Sequence, residues 1–359
     1  MSANPIYHLK DCYFFEVPKA LWRHRWESLT DVPAFLREAH PDITDVALFR
    51  EAMDGKILIP QPFGTQESLY AMRSGFGISK YMILELLIAG LLLLVFRNLA
   101  RAIGDGTAPR GWFANLFESM VLFVRDQIAR PAIDSHDEHG HDEHGHDEHG
   151  SHGHGASEHG GDHGHADDHA NGHGTAAAAL AHHEGDRFVP LLLTLFFFVL
   201  GCNLMGMVPW TGSPTASLSV TLALAAVTLT TVVVAGMKKF GFVGFFLNQI
   251  PSMDLPLPLA IILKPMIFLI EMLGLAIKHL ILAVRLLANM VAGHLVLLGI
   301  MGLISAATSY SMGTWATVTG ISVVSCTLFS VLELFVAFLQ AYIFTFLSAL
   351  FIGAAVHQH

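Results

Sequence analysis

A chain of 359 residues that is 53% hydrophobic and only 14% charged is too apolar for a water-soluble globule and falls in the polytopic membrane class. Its formal charge of −10 comes from one stretch: residues 135–186 hold twelve acids and neither Lys nor Arg, which leaves eighteen acids against twenty bases elsewhere. That near balance gives no basis for a nucleic-acid partner, and the distant Cys12, Cys202 and Cys326 give none for a disulfide framework or a metal knuckle.

Residues 1–77 are of mixed polarity, with Trp22, Trp26, scattered prolines and no spanning run. They lack the basic-then-apolar layout of a secretory leader. They read as a polar N-terminal region outside the bilayer, with short helices on its surface. The first membrane helix is expected over 78–99, with Arg97 in its last turn and Arg101, Arg110, Arg125 and Arg130 after it. Basic residues mark the cytoplasmic end of a span, so residues 1–77 are expected on the non-cytoplasmic side. Over 112–130, Phe113, Leu116, Phe117, Met120, Val121 and Val124 form a stripe of helical period beside Arg125, Asp126 and Arg130. That pattern predicts an amphipathic helix lying in the membrane interface.

Residues 135–186 form a His/Asp/Glu/Gly-rich insertion in which the pentad HDEHG occurs three times in tandem from residue 136. Such a composition cannot bury a core and is expected to be disordered. His136, His139, His141, His144, His146 and His149 stand beside carboxylates and could hold Zn²⁺, Ni²⁺ or Cu²⁺ weakly at many sites. A solvated insertion that meets metal incidentally is the plainer reading; a dedicated metal or pH-sensing role is the other.

Residues 187–359 are the membrane core. From Phe188 onward the acids are Asp254, Glu271 and Glu333, and the bases are Lys238, Lys239, Lys264, Lys278 and Arg285. Val189–Val208 and Ser217–Gly236 predict two helices joined by the uncharged turn PWTGSP, with the Lys238–Lys239 pair after the second. Prolines then cluster at 251, 256, 258 and 265, and none follows. Pro265 to Ala307 is 43 residues, or ~65 Å as one helix, against a hydrocarbon core of ~30 Å. Met312 to Ala354 repeats the mismatch. The expected fold is therefore an all-α polytopic membrane protein. It has about five membrane helices and one interfacial amphipathic helix, the last two membrane helices being long, steeply inclined and paired as a hairpin.

The buried charges need a reason. Lys264, Glu271, Lys278 and Arg285 are seven apart, so they drift only ~20° per step around a helix, and Ala292, Gly299 and Ala306 continue the series with small residues. An arginine inside a span costs at least ~2.5–3.5 kcal/mol and normally faces a cavity or an opposite charge. No acid lies within four residues of Arg285, so its partner is either Glu333 or belongs to another chain. Asn289 shares the Arg285 face one turn on, while His294 points the other way, where an antiparallel final helix could bring Glu333. Glu333 and Gln340 are again seven apart.

Here the sequence resembles subunit a of the F-type ATP synthase membrane sector. LAVRLLANMVAGHLVLL looks like that family's arginine helix, ELFVAFLQAYIFTFL like its last helix, and GCNLMGMVPWTGSPTASLSVTLALA like the preceding hairpin. The likeness covers about 78–130 and 187–357; Ser217 departs from it, standing where the family often has Asp or Asn. The resemblance implies a bacterial inner-membrane protein with its N-terminus outside and the His-rich loop and C-terminus cytoplasmic. It implies a non-catalytic subunit that needs no cofactor, with the c-subunit ring, the b subunits of the peripheral stalk and membrane lipid as partners. Arg285 would face the ring carboxylate between two aqueous half-channels. Asn289, His294, Glu333 and Gln340 would carry protons beside it, with Glu271 and Lys278 as supporting charges. A zinc transporter would also explain the histidines, but it needs His/Asp pairs in the spans, and Asp254 is the sole aspartate after residue 188.

Overall fold

The computed structural model describes residues 11–41, 43–104, 111–134, 184–208, 210–248 and 257–357. The six histidines singled out as metal candidates lie outside these residues. The insertion predicted to run to 186 gives way earlier, since Glu184–Arg187 already form a 3₁₀ turn.

The N-terminal region holds strands that its sequence did not announce. Strand β1 (Phe14–Glu16) pairs antiparallel with β2 (Lys56–Leu58), and β3 (Gly64–Ser68) with β4 (Ala71–Gly75). Helices α1 (Ala34–Ala39) and α2 (Val46–Met53) lie between β1 and β2, the second capped by Asp45, whose carboxylate accepts from Ala47 N at 2.8 Å. Cys12, Phe14, Val32, Leu36, Phe49 and Met53 close a small core. Burial there pushes the Cys12 thiol above its ordinary pKa. This unit is tied to the first span through its backbone: Lys80 N donates to Cys12 O at 2.8 Å, and the Gln61 amide bridges both backbone groups of Ile78.

Among the described residues five helices are long and apolar enough to cross a bilayer. They are α3 (Lys80–Gly104), α6 (Val189–Gly206), α7 (Leu218–Asn248), α8 (Leu257–Ala307) and α9 (Met312–Val356). Between α3 and α6 the predicted interfacial segment is α4 (Trp112–Phe123), a π-helical stretch Val124–Ala129, and α5 (Arg130–Ile133). On an uninterrupted α-helix Phe117 and Ile133 would stand about 160° apart; the wider π turn absorbs about one residue of rotation and brings them within about 60°. Phe117 thus packs against the same core that buries Val124, Ile128, Ala129, Ala132 and Ile133.

Helix α6 is the centre of the membrane core. Leu192, Leu195, Phe196, Val199 and Leu200 are all buried, and α3, α9 and the π stretch pack around it. Gly201 lets α3 approach, because any Cβ there would strike Ile88. Helix α7 runs past its predicted end at Gly236. Gly241, at φ +77°, breaks it, and Phe245 folds back against Gly236 where a side chain would not fit. Helix α8 starts upstream of Pro265, which sits inside it, and spans 51 residues; α9 has 45 and is capped by Ser311. The two pack on one another and on α6 and α7. At the far end of α9, Gly353 lies against the carbonyl of Ala132, and His357 Nε2 meets Ile133 O at 2.7 Å.

Candidate functional site

Helices α8 and α9 run antiparallel and in register through their polar residues. Asn289 Nδ2 donates to Gln340 Oε1 at 2.9 Å, and His294 Nδ1 stands 3.3 Å from Glu333 Oε1. The opposite-face reasoning for His294 therefore meets its partner. Glu333 and Gln340 are 8% and 3% exposed, and Glu333 Oε1 and Gln340 Nε2 are buried without a hydrogen-bond partner among the described residues, so the ion-pair contact with His294 is what faces the carboxylate. Gly293 makes room for the carboxylate, since a Cβ at 293 would fall 2.7 Å from Glu333 Oε1. His294 also has Nδ1 at 2.9 Å from Met290 O and Nε2 at 3.1 Å from Gly206 O. Each is a hydrogen bond only while that nitrogen carries a proton, so the protonation pattern decides which contacts are made.

Arg285 is held differently. Its Nε and Nη2 are buried and have no hydrogen-bond partner among the described residues. Glu333, the acid that could have neutralised it within the chain, is engaged with His294. Along the Arg285 face, Ala288, Ala292, Gly299 and Ala306 are exposed, and nothing stands within 4 Å of a Cβ built at Gly299. Glu271 and Lys278 do not join this cluster: Lys278 is exposed, and no ion pair links the two among the described residues.

A second polar group escaped the sequence reading. Asn203 on α6 donates to Ala337 O at 3.3 Å and accepts from Thr215 Oγ1 at 2.8 Å, while Ser213 Oγ lies 2.7 Å from Thr215 and donates to Cys202 O. Asn203, Ser213 and Thr215 are 0%, 1% and 0% exposed, so the turn between α6 and α7 is packed inward, close to the Gly206 carbonyl that faces His294. An asparagine in a helix without a charged residue was the available signal. Two ionisable groups were also passed over. His279, 2% exposed, has Nδ1 on Leu275 O and no partner for Nε2, and Glu85 on α3 carries a buried oxygen without a partner. The Ser217 hydroxyl, by contrast, lies 2.8 Å from that of Ser219 at the exposed start of α7.

Outside the spans, Arg125 binds Asp126 through Nε and Nη2, and Arg130 binds Asp186 with both bonds at 3.0 Å. The Arg125 hydrogen bond holds the Asp126 carboxyl below its ordinary pKa, and the bond to Asp186 raises that of Arg130. This network staples α5 to the start of α6.

Five apolar spans, with a histidine, a glutamate and two amides along the seam of the last two and an arginine one turn before them, define a multi-pass helical membrane protein with polar groups among its spans. Comparison with known proteins narrows the class. The ATP synthase A chain family matches residues 172–353. The chain is 31% identical over 360 residues to ATP synthase subunit a of Anaeromyxobacter sp. (strain Fw109-5), covering 100% of this chain and 71% of that one. It is 35% identical over 286 residues to ATP synthase subunit a of Myxococcus xanthus, covering 79% and 75%, and 32% identical over 309 residues to that of Chloroherpeton thalassium, covering 85% and 74%. The chain belongs to the ATP synthase A chain family.

Proposed function

We propose that this chain is the proton-translocating stator subunit of an ATP synthase membrane sector, itself without catalytic activity. The observation that carries the reading is Arg285, whose buried Nε and Nη2 have no hydrogen-bond partner among the described residues. A buried charge left unpaired is costly, so the missing anion is supplied from outside. The exposed small residues beside Arg285 are what a close-packed neighbouring helix requires. A ring of c subunits, each with one carboxylate on its outer helix, meets both conditions.

A ring carboxylate travels through lipid neutral, because an ion there is costly. Facing Arg285, it is favoured as the anion and gives up its proton to one aqueous half-channel; after rotation it is reloaded from the other. The fixed charge of Arg285 blocks direct leakage between the two. His294, Glu333, Asn289 and Gln340 line the path on the outer side and hand protons to and from the ring. Each proton falling through 100 mV supplies about 2.3 kcal/mol to rotation. The long paired helices α8 and α9 lie inclined across the ring, and b subunits hold the chain against the turning ring. The N-terminal unit then lies outside the cell membrane, and the His-rich insertion and C-terminus lie inside it.

The placement of the ring is tested by cross-linking in the assembled complex. With Cys12, Cys202 and Cys326 replaced by Ala, Ala292→Cys leaves Arg285 intact and puts a thiol on its face. Oxidation is expected to join it to a cysteine placed within two turns of the ring carboxylate. An assembled complex that gives no such product at any ring position would refute the placement.

A further inference from the structure

Glu85 on α3 has no place in the proton path described so far. The helix carries no other charge between Lys80 and Arg97, and an ionisable side chain within a span is costly unless it has work or a partner. Its Oε1 is buried without a hydrogen-bond partner among the described residues, where no ion pair joins it to Lys80 either. The residue as a whole is half-buried, so the group is not sealed in.

The direction it faces follows from its neighbours on α3. Tyr81, one turn earlier, and Ile88, one turn later, share its face. A Cβ at Gly212, in the turn between α6 and α7, would fall 3.3 Å from Tyr81 Cε1, and one at Gly201 of α6 would fall 2.8 Å from Ile88 Cγ2. Glu85 stands between these two contacts, and its charge reaches the Cys202 thiol next to Gly201. It therefore faces the junction of α6 with the buried turn at 213–216. The other titratable groups there are Lys80 and Tyr81 on α3, Cys202 on α6, and Asp11 of the N-terminal unit, whose Oδ1 accepts from Cys12 N and Tyr81 N.

That turn packs on α3 from one side and on α8 from the other. Ser213 Oγ lies 2.7 Å from Thr215 Oγ1, and a Cβ at Gly206 would fall 2.9 Å from Ser213 Oγ. The Gly206 carbonyl in turn faces His294 Nε2 at 3.1 Å. Polar groups thus follow one another across the bundle, from Glu85 through Ser213 and Thr215 to His294. A hydroxyl both donates and accepts, so it can take a proton on a lone pair and give up its own.

We propose that Glu85 is the outer proton-collecting group of the path. Its carboxylate takes a proton from water on the outer side, and the Ser213 and Thr215 hydroxyls pass it inward, each accepting one proton and releasing another. Glu85 returns to the anion, and His294 holds the proton that it shares with Glu333. The inference rests on the reading of this chain as a proton path.

The test uses the assembled complex in inverted vesicles, whose lumen faces the outer side. ATP synthesis is driven by an imposed gradient of constant total size, with the lumen loaded at a series of pH values. Glu85→Gln, isosteric and uncharged, is expected to slow synthesis about tenfold at alkaline lumen pH, where free protons are scarce. At acid lumen pH protons reach the hydroxyls unaided, and the loss is expected to shrink. Glu85→Asp is expected to recover part of the rate, and Ser213→Ala, which leaves the carboxylate in place, to slow synthesis as well. The proposal is overturned if Glu85→Gln matches wild type, if its loss is the same at every lumen pH, or if Ser213→Ala synthesises at the wild-type rate. It is also overturned if Glu85→Asp does no better than Glu85→Gln. Failure of the isosteric Glu85→Gln complex to assemble, followed by immunoblot, would make the carboxylate structural and overturn it too. Arg285→Ala in the same vesicles separates the two readings. Synthesis at the wild-type level there refutes the proton path and this inference with it, whereas an inactive Arg285→Ala beside an unaffected Glu85→Gln refutes this inference alone.

Discussion

Replacing Arg285 by Ala is expected to abolish ATP-driven proton pumping in inverted membrane vesicles while the complex, followed by immunoblot, still assembles. Among the described residues neither Nε nor Nη2 of this side chain makes a hydrogen bond, so its removal takes no such bond from between α8 and α9. What disappears is the fixed charge that favours the ionised ring carboxylate and separates the two half-channels. Passive proton leakage is expected to rise in the same vesicles. Arg285→Lys keeps the charge but replaces a planar, always-protonated fork with a compact point charge, and is expected to recover little of the pumping. Pumping at the wild-type level in Arg285→Ala would mean that the arginine is structural, and the proposed mechanism would fall.

The pair His294 and Glu333 carries the second large effect. Their atoms stand 3.3 Å apart on helices that meet only through tertiary folding. Positioned proton carriers are worth about 10²-fold or more in ordinary acid–base catalysis. Water in a half-channel replaces part of that, so His294→Ala and Glu333→Gln are each expected to slow pumping about tenfold or more. If the two act as one relay, the double variant is no slower than the slower single one. Exchange of the two residues, His294→Glu with Glu333→His, is expected to restore a measurable rate. Independent, additive losses and no rescue by the exchange would show that the two residues do not share a proton.

Much of this was readable in the sequence, for a physical reason. An apolar run excludes polar residues unless they have work or a partner, so Arg285, Asn289, His294, Glu333 and Gln340 stood out without any fold. The spans were readable because ~20 apolar residues have few other uses. Boundaries moved where local chemistry permits two outcomes. The Lys238–Lys239 pair is compatible with continued helix, so α7 runs on to the Gly241 break, and Pro265 is accommodated within α8 rather than opening it. The N-terminal strands were hidden because they are three to five residues long and show too little alternation to separate from loop. Ser213 and Thr215 were hidden by their setting: a Pro/Gly/Ser turn looks solvated, and only tertiary packing turns it inward. Glu85 and His279 broke the same rule that exposed Arg285 and could have been found by it.

The π-helical stretch at Val124–Ala129 has a genetic corollary. A loop of wider backbone that keeps both flanks on one face is what remains when a single codon is added to a helix whose two ends were already fixed by their neighbours. The reverse change should then be forgiven. Deleting the exposed Gln127 lets the chain close into ordinary α-helix with Phe117 and Ile133 still facing the same way. A one-residue deletion inside α6, which holds no such surplus, swings Leu192 and Val199 about 100° relative to one another. Detergent-stable assembly is expected to survive the first deletion and fail with the second; loss in both would mean that the extra residue is not spare length but a contact.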